Sequence, residues 1–104
     1  MIEVTILVPR AGNDGAQFSA AHHVVFETFI LGRFGGFTKL PNEAEGLWRD
    51  DGGTTYRDAT IVLVIAVEGL VKQAAPLREV IDFAKAHYQQ LAVYVKYLGV
   101  AEIV

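Results

Sequence analysis

Eight consecutive residues constrain this chain more than any others: Thr60-Ile61-Val62-Leu63-Val64-Ile65-Ala66-Val67, apolar from Ile61 onward. Side chains branched at Cβ dominate the run, and these are stiff and pack well on a pleated surface. Apolar residues at every position, rather than at alternate ones, describe a strand with both faces covered. The run is far shorter than the roughly 20 residues that a membrane helix needs. Before it lies a polar, aromatic, glycine-punctuated stretch, Phe34 to Asp58. That contrast separates a scaffold from a candidate site.

Other elements follow from local chemistry. Residues 2–8 are rich in β-branched side chains and end at Pro9, which has no N–H for a sheet ladder. Residues 9–17 read as a loop, with Gly12-Asn13-Asp14-Gly15 as a turn that needs a positive φ. Ser19 is placed to cap a helix that runs to about Arg33 and ends at Gly35-Gly36. Its apolar face is expected at Phe18, His22, Val25, Phe26, Phe29 and Ile30. Phe37–Leu40 and Gly46–Arg49 read as one strand interrupted by Pro41–Glu45, and Asp51-Gly52-Gly53 as a hairpin turn. The apolar run belongs to a strand from about Thr54 to Glu68. Pro76 suits the first turn of a second helix. Leu77, Val80, Ile81, Ala84, Tyr88 and Leu91 form its dry face; Arg78, Glu79, Asp82, Lys85 and Gln89 form the wet one. Ala92–Tyr97 is a last strand, followed by Gly99 and a short apolar end, Ala101–Val104.

Strand, helix, strand, strand, helix, strand is the ferredoxin-like split-βαβ order, βαββαβ: an α+β fold with a four-stranded antiparallel sheet and two helices on one face. Its central strands are the first and third, and those are the most apolar here. The interrupted second strand, with its proline and charges, behaves as an edge. One domain spans 1–104. The order of elements is similar to that of PII-like and CutA-like signalling trimers and of small dimeric α+β barrel proteins, some of which are monooxygenases or isomerases. That resemblance implies a fold and an oligomeric habit, and no residue role.

Two helices cover only one side of such a sheet. By alternation Ile61, Leu63, Ile65 and Val67 turn toward them, while Tyr56, Asp58, Thr60, Val62, Val64 and Ala66 turn away. Glu3, Thr5, Leu7, Tyr94 and Lys96 share the second face, so Leu7, Val62 and Val64 make an apolar strip. With 52% of 104 residues hydrophobic and 20% charged, a chain this small has apolar surface to spare. A homo-oligomer through the open face or an edge strand is therefore expected.

Net charge −3 and a pI near 5.5, without a basic stripe, speak against nucleic acid as a partner. Without cysteine, thiol nucleophiles, disulfides and thiolate metal sites are excluded. No signal-like segment or membrane span stands out, which leads to a cytoplasmic expectation. No metal or cofactor is implied by any motif. Adjacent His22 and His23 point about 100° apart on a helix, awkward for a shared metal. His22 falls on the dry face. His23 precedes Glu27 by one turn, a spacing at which a carboxylate orients an imidazole as a catalytic base. His87 reads as structural, and Tyr88, Tyr94 and Tyr97 as packing residues with a polar tip.

The densest mixture of binding chemistry is Phe34–Asp58, where Trp48, Arg49, Tyr56, Arg57 and Asp58 supply stacking surface and directional hydrogen bonds. Arg10, at the end of the first strand, joins them as an anion-binding candidate. Asp58 is expected to pair with Arg57, Arg49 or Lys96. The leading expectation is a small oligomer that binds a small molecule or protein partner in a regulatory role. The alternatives are a cofactor-independent enzyme of the dimeric-barrel kind, moving a proton with His22, His23–Glu27 or Asp58, and an interaction module without a pocket.

Overall fold

The computed structural model describes residues 2–41 and 44–97, the side chain of Trp48 excepted. In chain order the elements are β1 (Ile2–Pro9), α1 (Ala20–Phe34), β2 (Thr38–Lys39), β3 (Ala44–Arg49), β4 (Thr55–Val67), α2 (Ala74–His87) and β5 (Tyr94–Tyr97). β1 and β4 run antiparallel side by side, from Ile2 opposite Val67 to Pro9 opposite Thr60. β5 borders β1. Both β2 and β3 border β4 on its other edge. This is the ferredoxin-like arrangement, with the two most apolar strands at its centre.

The edge carries two strands where the sequence suggested one. Pairing reaches Leu40, whose N–H donates to Val62 O at 3.1 Å, and resumes with Ala44 opposite Thr60. Pro41, without an N–H, stands at the break. The sheet thus has five strands rather than four. β4 also outruns β1: past Ala59, whose carbonyl accepts the Arg10 N–H, its ladder continues with β3 as far as Arg49 opposite Thr55. That overhang is a two-stranded ribbon turned by Asp50–Gly53, with Gly53 at φ 87°.

Alternation places the core as expected. Val4, Ile6, Val8, Ile61, Leu63, Ile65 and Val67 are buried beneath Phe26, Ile30, Leu77, Val80, Ala84 and Tyr88. The face away from the helices shows one row across β5, β1 and β4, Tyr94 opposite Leu7 and Leu7 opposite Val62, with Leu40, just past β2, bonded to Val62; Val62, expected in an open apolar strip, is buried. Tyr94 and Leu40 in that row are exposed. The last apolar residues of the sequence, from Leu98 on, lie outside the described set.

Helix α1 begins at Ser19, whose hydroxyl accepts the His22 N–H at 3.1 Å, and ends at Gly35, φ 77°. Its buried stripe is His23, Phe26 and Ile30. The sequence spacing placed His22 and Val25 there instead. Val25 is half exposed, and His22 lies at the seam with α2. Two stripes one residue apart share Phe26 and Ile30, and periodicity alone does not separate them. α2 buries Leu77, Val80 and Ala84, but Leu91 is fully exposed. The helix stops at His87, and Gln89 at φ 54° turns the chain away before Leu91 is reached. β5 then starts at Tyr94 rather than Ala92. Tyr94 and Tyr97 are exposed on it, and of the three packing tyrosines only Tyr88 is enclosed.

Candidate functional site

Two cavities adjoin at the end of the molecule where β1 runs into α1. The larger, about 620 Å³, opens on the side of the sheet away from the helices, among Leu7, Pro9, Thr60 and Tyr94, the ribbon residues Tyr56–Ala59, and the loop after β1. That loop folds as a small hairpin in which Ala11 bridges Gln17. Asp14 Oδ1 accepts the Ala16 N–H at 2.9 Å, and Gly15 takes φ 83°, a conformation that side chains with Cβ disfavour. Gln90 Nε2 donates to Asn13 Oδ1 at 3.4 Å, tying the loop to the segment after α2.

Four of the residues singled out in the sequence, Arg10, Tyr56, Arg57 and Asp58, line this larger cavity. Arg49 does not; its Nε donates to Thr55 Oγ1 at 3.3 Å. The Trp48 side chain lies outside the described residues. Arg57 is held by Glu45 at 3.1 Å, and Tyr56 donates to Asp50 Oδ2 at 3.0 Å. Asp50 also accepts the Thr54 N–H at 2.9 Å. These bonds, the Thr54 amide first, hold its carboxyl below the usual range. Arg57 and Arg49 thus have partners other than the expected Asp58. Lys96 sits opposite Thr5, which is opposite Val64; six residues along β4, at roughly 3.3 Å each, keep it about 20 Å from Asp58 in the same chain.

The smaller cavity, about 270 Å³, lies between α1 and the helix-facing edge of the sheet, lined by Arg10, Gln17, Phe18, Ala20, His23, Val24, Glu27, Lys39 and Ile61. Here the expected His23–Glu27 pair is replaced by two others. Glu27 accepts from Lys39 Nζ at 2.9 Å, because Lys39, opposite Leu63, turns toward the helices. His23 is buried and its Nδ1 meets Tyr88 Oη at 2.7 Å. Burial, and then the nearby positive charge of Lys39, lower the His23 pKa below the ordinary imidazole value. Burial raises that of Tyr88, so the phenol stays protonated. A phenol hydroxyl can donate to Nδ1 or accept from it, so the imidazole tautomer sets the direction of this bond.

His22 joins neither cavity; it is stacked between Phe18 and His87. Sequence reasoning missed Tyr88 as the partner of His23, since the two are 65 residues apart. It also missed Lys39, although strand alternation opposite Leu63 carried the signal. Among the described residues, no group of three or more His, Asp or Glu is placed to hold a metal ion, and no helix is long and apolar enough to cross a membrane.

No protein-family model and no curated protein matches the sequence. Solved structures do resemble it in shape. A phage SAM lyase in complex with S-methyl-5′-thioadenosine superposes with a TM-score of 0.68 at 17% identity, over 95% of this chain and 82% of the enzyme's. The divalent cation tolerance protein CutA1 of Thermus thermophilus gives 0.62 at 14% identity, over 99% and 86%. The periplasmic divalent cation tolerance protein CutA of Archaeoglobus fulgidus gives 0.59 at 11%, over 99% and 86%. Identities this low show the fold alone: the chain is a small α+β domain of ferredoxin-like architecture, built like the CutA proteins and the phage lyase.

Proposed function

We propose that this chain is a homo-oligomeric ligand-binding domain with a regulatory role, and that its ligand is a small polar molecule with an aromatic ring, of nucleoside size. One observation carries the reading: Arg10, Tyr56, Arg57 and Asp58 surround a single cavity of about 620 Å³ at the margin of the sheet face away from the helices. Tyr56 and Tyr94 offer ring faces for stacking. Asp58, Asn13 and Gln90 offer acceptors and donors suited to hydroxyl and amine groups. Tyr94 and Leu7 of the apolar row line the same cavity, so a second subunit packed on that row would close its open side. The phage SAM lyase of similar fold is bound to S-methyl-5′-thioadenosine, which makes that nucleoside the natural first probe.

Native mass spectrometry with and without S-methyl-5′-thioadenosine tests both halves. The expected result is an oligomer that retains the nucleoside, and loses it in Asp58→Asn with an unchanged urea midpoint. A monomer that binds neither this compound nor adenosine would overturn the reading. Unfolding of Asp58→Asn would assign that carboxylate to the scaffold instead.

A further inference from the structure

A third cavity, about 280 Å³, lies on the face of the sheet away from the helices, at the other end of the β1–β4 ladder from the nucleoside site. Glu3, opposite Ala66, is six residues from Pro9, or about 20 Å at roughly 3.3 Å per residue. The lining takes Glu3 from β1, Val64 and Ala66 from β4, and Thr38 from β2. Ala66 and Gly36 have no side chain beyond Cβ, which leaves room there. Phe34 and Phe37, at either side of the turn after α1, complete the wall. The chain has six phenylalanines. Phe18, Phe26, Phe29 and Phe83 are each stacked on another ring; the other two are the pair at this cavity.

The charge around this cavity has one sign. Glu3 is the charged residue in the lining, and among the described residues it has no ion-pair partner. Phe34 and Gly35 stand at the C-terminus of α1, where the last carbonyls of a helix concentrate partial negative charge. Arg33, the basic residue of that last turn, is engaged elsewhere: it donates to Glu79 at 2.6 Å and lies over Phe29. Lys96, opposite Thr5, stands on β5, on the far side of β1 from the cavity. Aromatic faces attract cations as well. We propose that this cavity binds a small organic ammonium ion of choline size, with Glu3 against its charge and Phe34 and Phe37 against its alkyl groups. The proposal does not rest on the nucleoside reading, since the two cavities share no residue.

The test is an NMR titration of the full chain with choline and with 3,3-dimethylbutan-1-ol, its uncharged isostere. Choline is expected to give saturable shifts at the amides of Glu3, Gly36 and Thr38, and the alcohol to bind at least about fivefold more weakly. Glu3→Gln should weaken choline by about fivefold or more and remove its advantage over the alcohol. Gly36→Val is the second variant. Gly36 lies outside the left-handed region, unlike Gly35 at φ 77°, and a Cβ there meets no atom within 4 Å beyond its chain neighbours. The valine should therefore fill the cavity, abolish binding and leave the urea midpoint unchanged. Absence of choline binding overturns the proposal. So does equal binding of the two compounds, which would make the cavity an apolar slot, or a Glu3→Gln or a folded Gly36→Val that binds choline as wild type does.

Discussion

The imidazoles of His22 and His87 lie face to face, 3.7 Å between centroids and 11° from parallel. Each ring donates from Nε2 to the other residue's backbone carbonyl, at 2.8 Å and 2.6 Å. The pair joins α1 to the last residue of α2. It sits inside a longer column: Phe18 stacks on His22, Phe83 on His87, Phe29 on Phe83, and the Arg33 guanidinium lies over Phe29. The seam between the helices is therefore held by directional contacts as much as by the aliphatic core.

A double-mutant cycle on His22→Ala and His87→Ala measures that clasp. Neutral hydrogen bonds contribute about 0.5–1.5 kcal/mol each and a stacked pair a comparable amount. Each single variant should lose about 1–2 kcal/mol in urea unfolding, with a coupling energy of about 1–2 kcal/mol. Full additivity would show that the stack is incidental to the packing of the two helices.

His23 gives the fold a dependence on pH. In the folded chain burial, reinforced by Lys39, depresses its pKa below the ordinary value of 6.5. The unfolded chain therefore takes up a proton first as pH falls. Stability from this group is complete above pH 6.5 and declines as pH drops through that value toward the lower folded pKa. Urea unfolding well above and well below that value should show the wild type losing more stability on acidification than His23→Gln, which has no proton to gain. Equal losses would place the acid sensitivity elsewhere.

How much of this was legible before the structure depends on the range of the interaction. Ile61, Leu63, Ile65 and Val67 announced their face because strand alternation is strictly local, and Ser19 and Gly35 announced the ends of α1 for the same reason. The rotation of α1 that buries His23 rather than His22 was not local. It depends on Tyr88, 65 residues away, whose hydroxyl meets Nδ1. The exposure of Leu91 was equally hidden, since the positive φ falls on Gln89 rather than on a glycine. Arg10, Tyr56, Arg57 and Asp58 converge through strand pairing, Arg10 N–H donating to Ala59 O at 3.1 Å. Their residue types were readable, but not the cavity that joins them.

Asp50 orders the ribbon that carries Tyr56. Its carboxylate accepts the Thr54 amide and the Tyr56 hydroxyl across the turn. Because these bonds lower its pKa, their contribution is present above the carboxylate range and lost as pH falls through the folded value. Asp50→Ala should speed hydrogen exchange at the amides of Tyr56 and Asp58 while amides of β1 keep their protection. Uniform acceleration across both strands would mean that the turn is coupled to global stability.

The open face makes the last prediction, and it concerns assembly. Tyr94, Leu7 and Val62 follow one another across β5, β1 and β4, with Leu40 bonded to Val62, and Tyr94 is 60% exposed in a single chain. Val62 is buried within the single chain, whereas Tyr94 and Leu40 are exposed, and exposed aromatic and aliphatic side chains on the sheet face away from the helices are what subunit contacts are built from. Tyr94→Asp puts a charge into that row without touching the helix-side core. Substitutions at exposed positions usually change chain stability by no more than about 0.5 kcal/mol, so the variant should fold. It should run as a monomer in native mass spectrometry at micromolar concentrations at which the wild type is assembled. An assembled Tyr94→Asp would move the contact to another surface, with the β2–β3 edge next in line. A monomeric wild type would leave Tyr94 and Leu40 as exposed surface and remove the second subunit from the proposed nucleoside site.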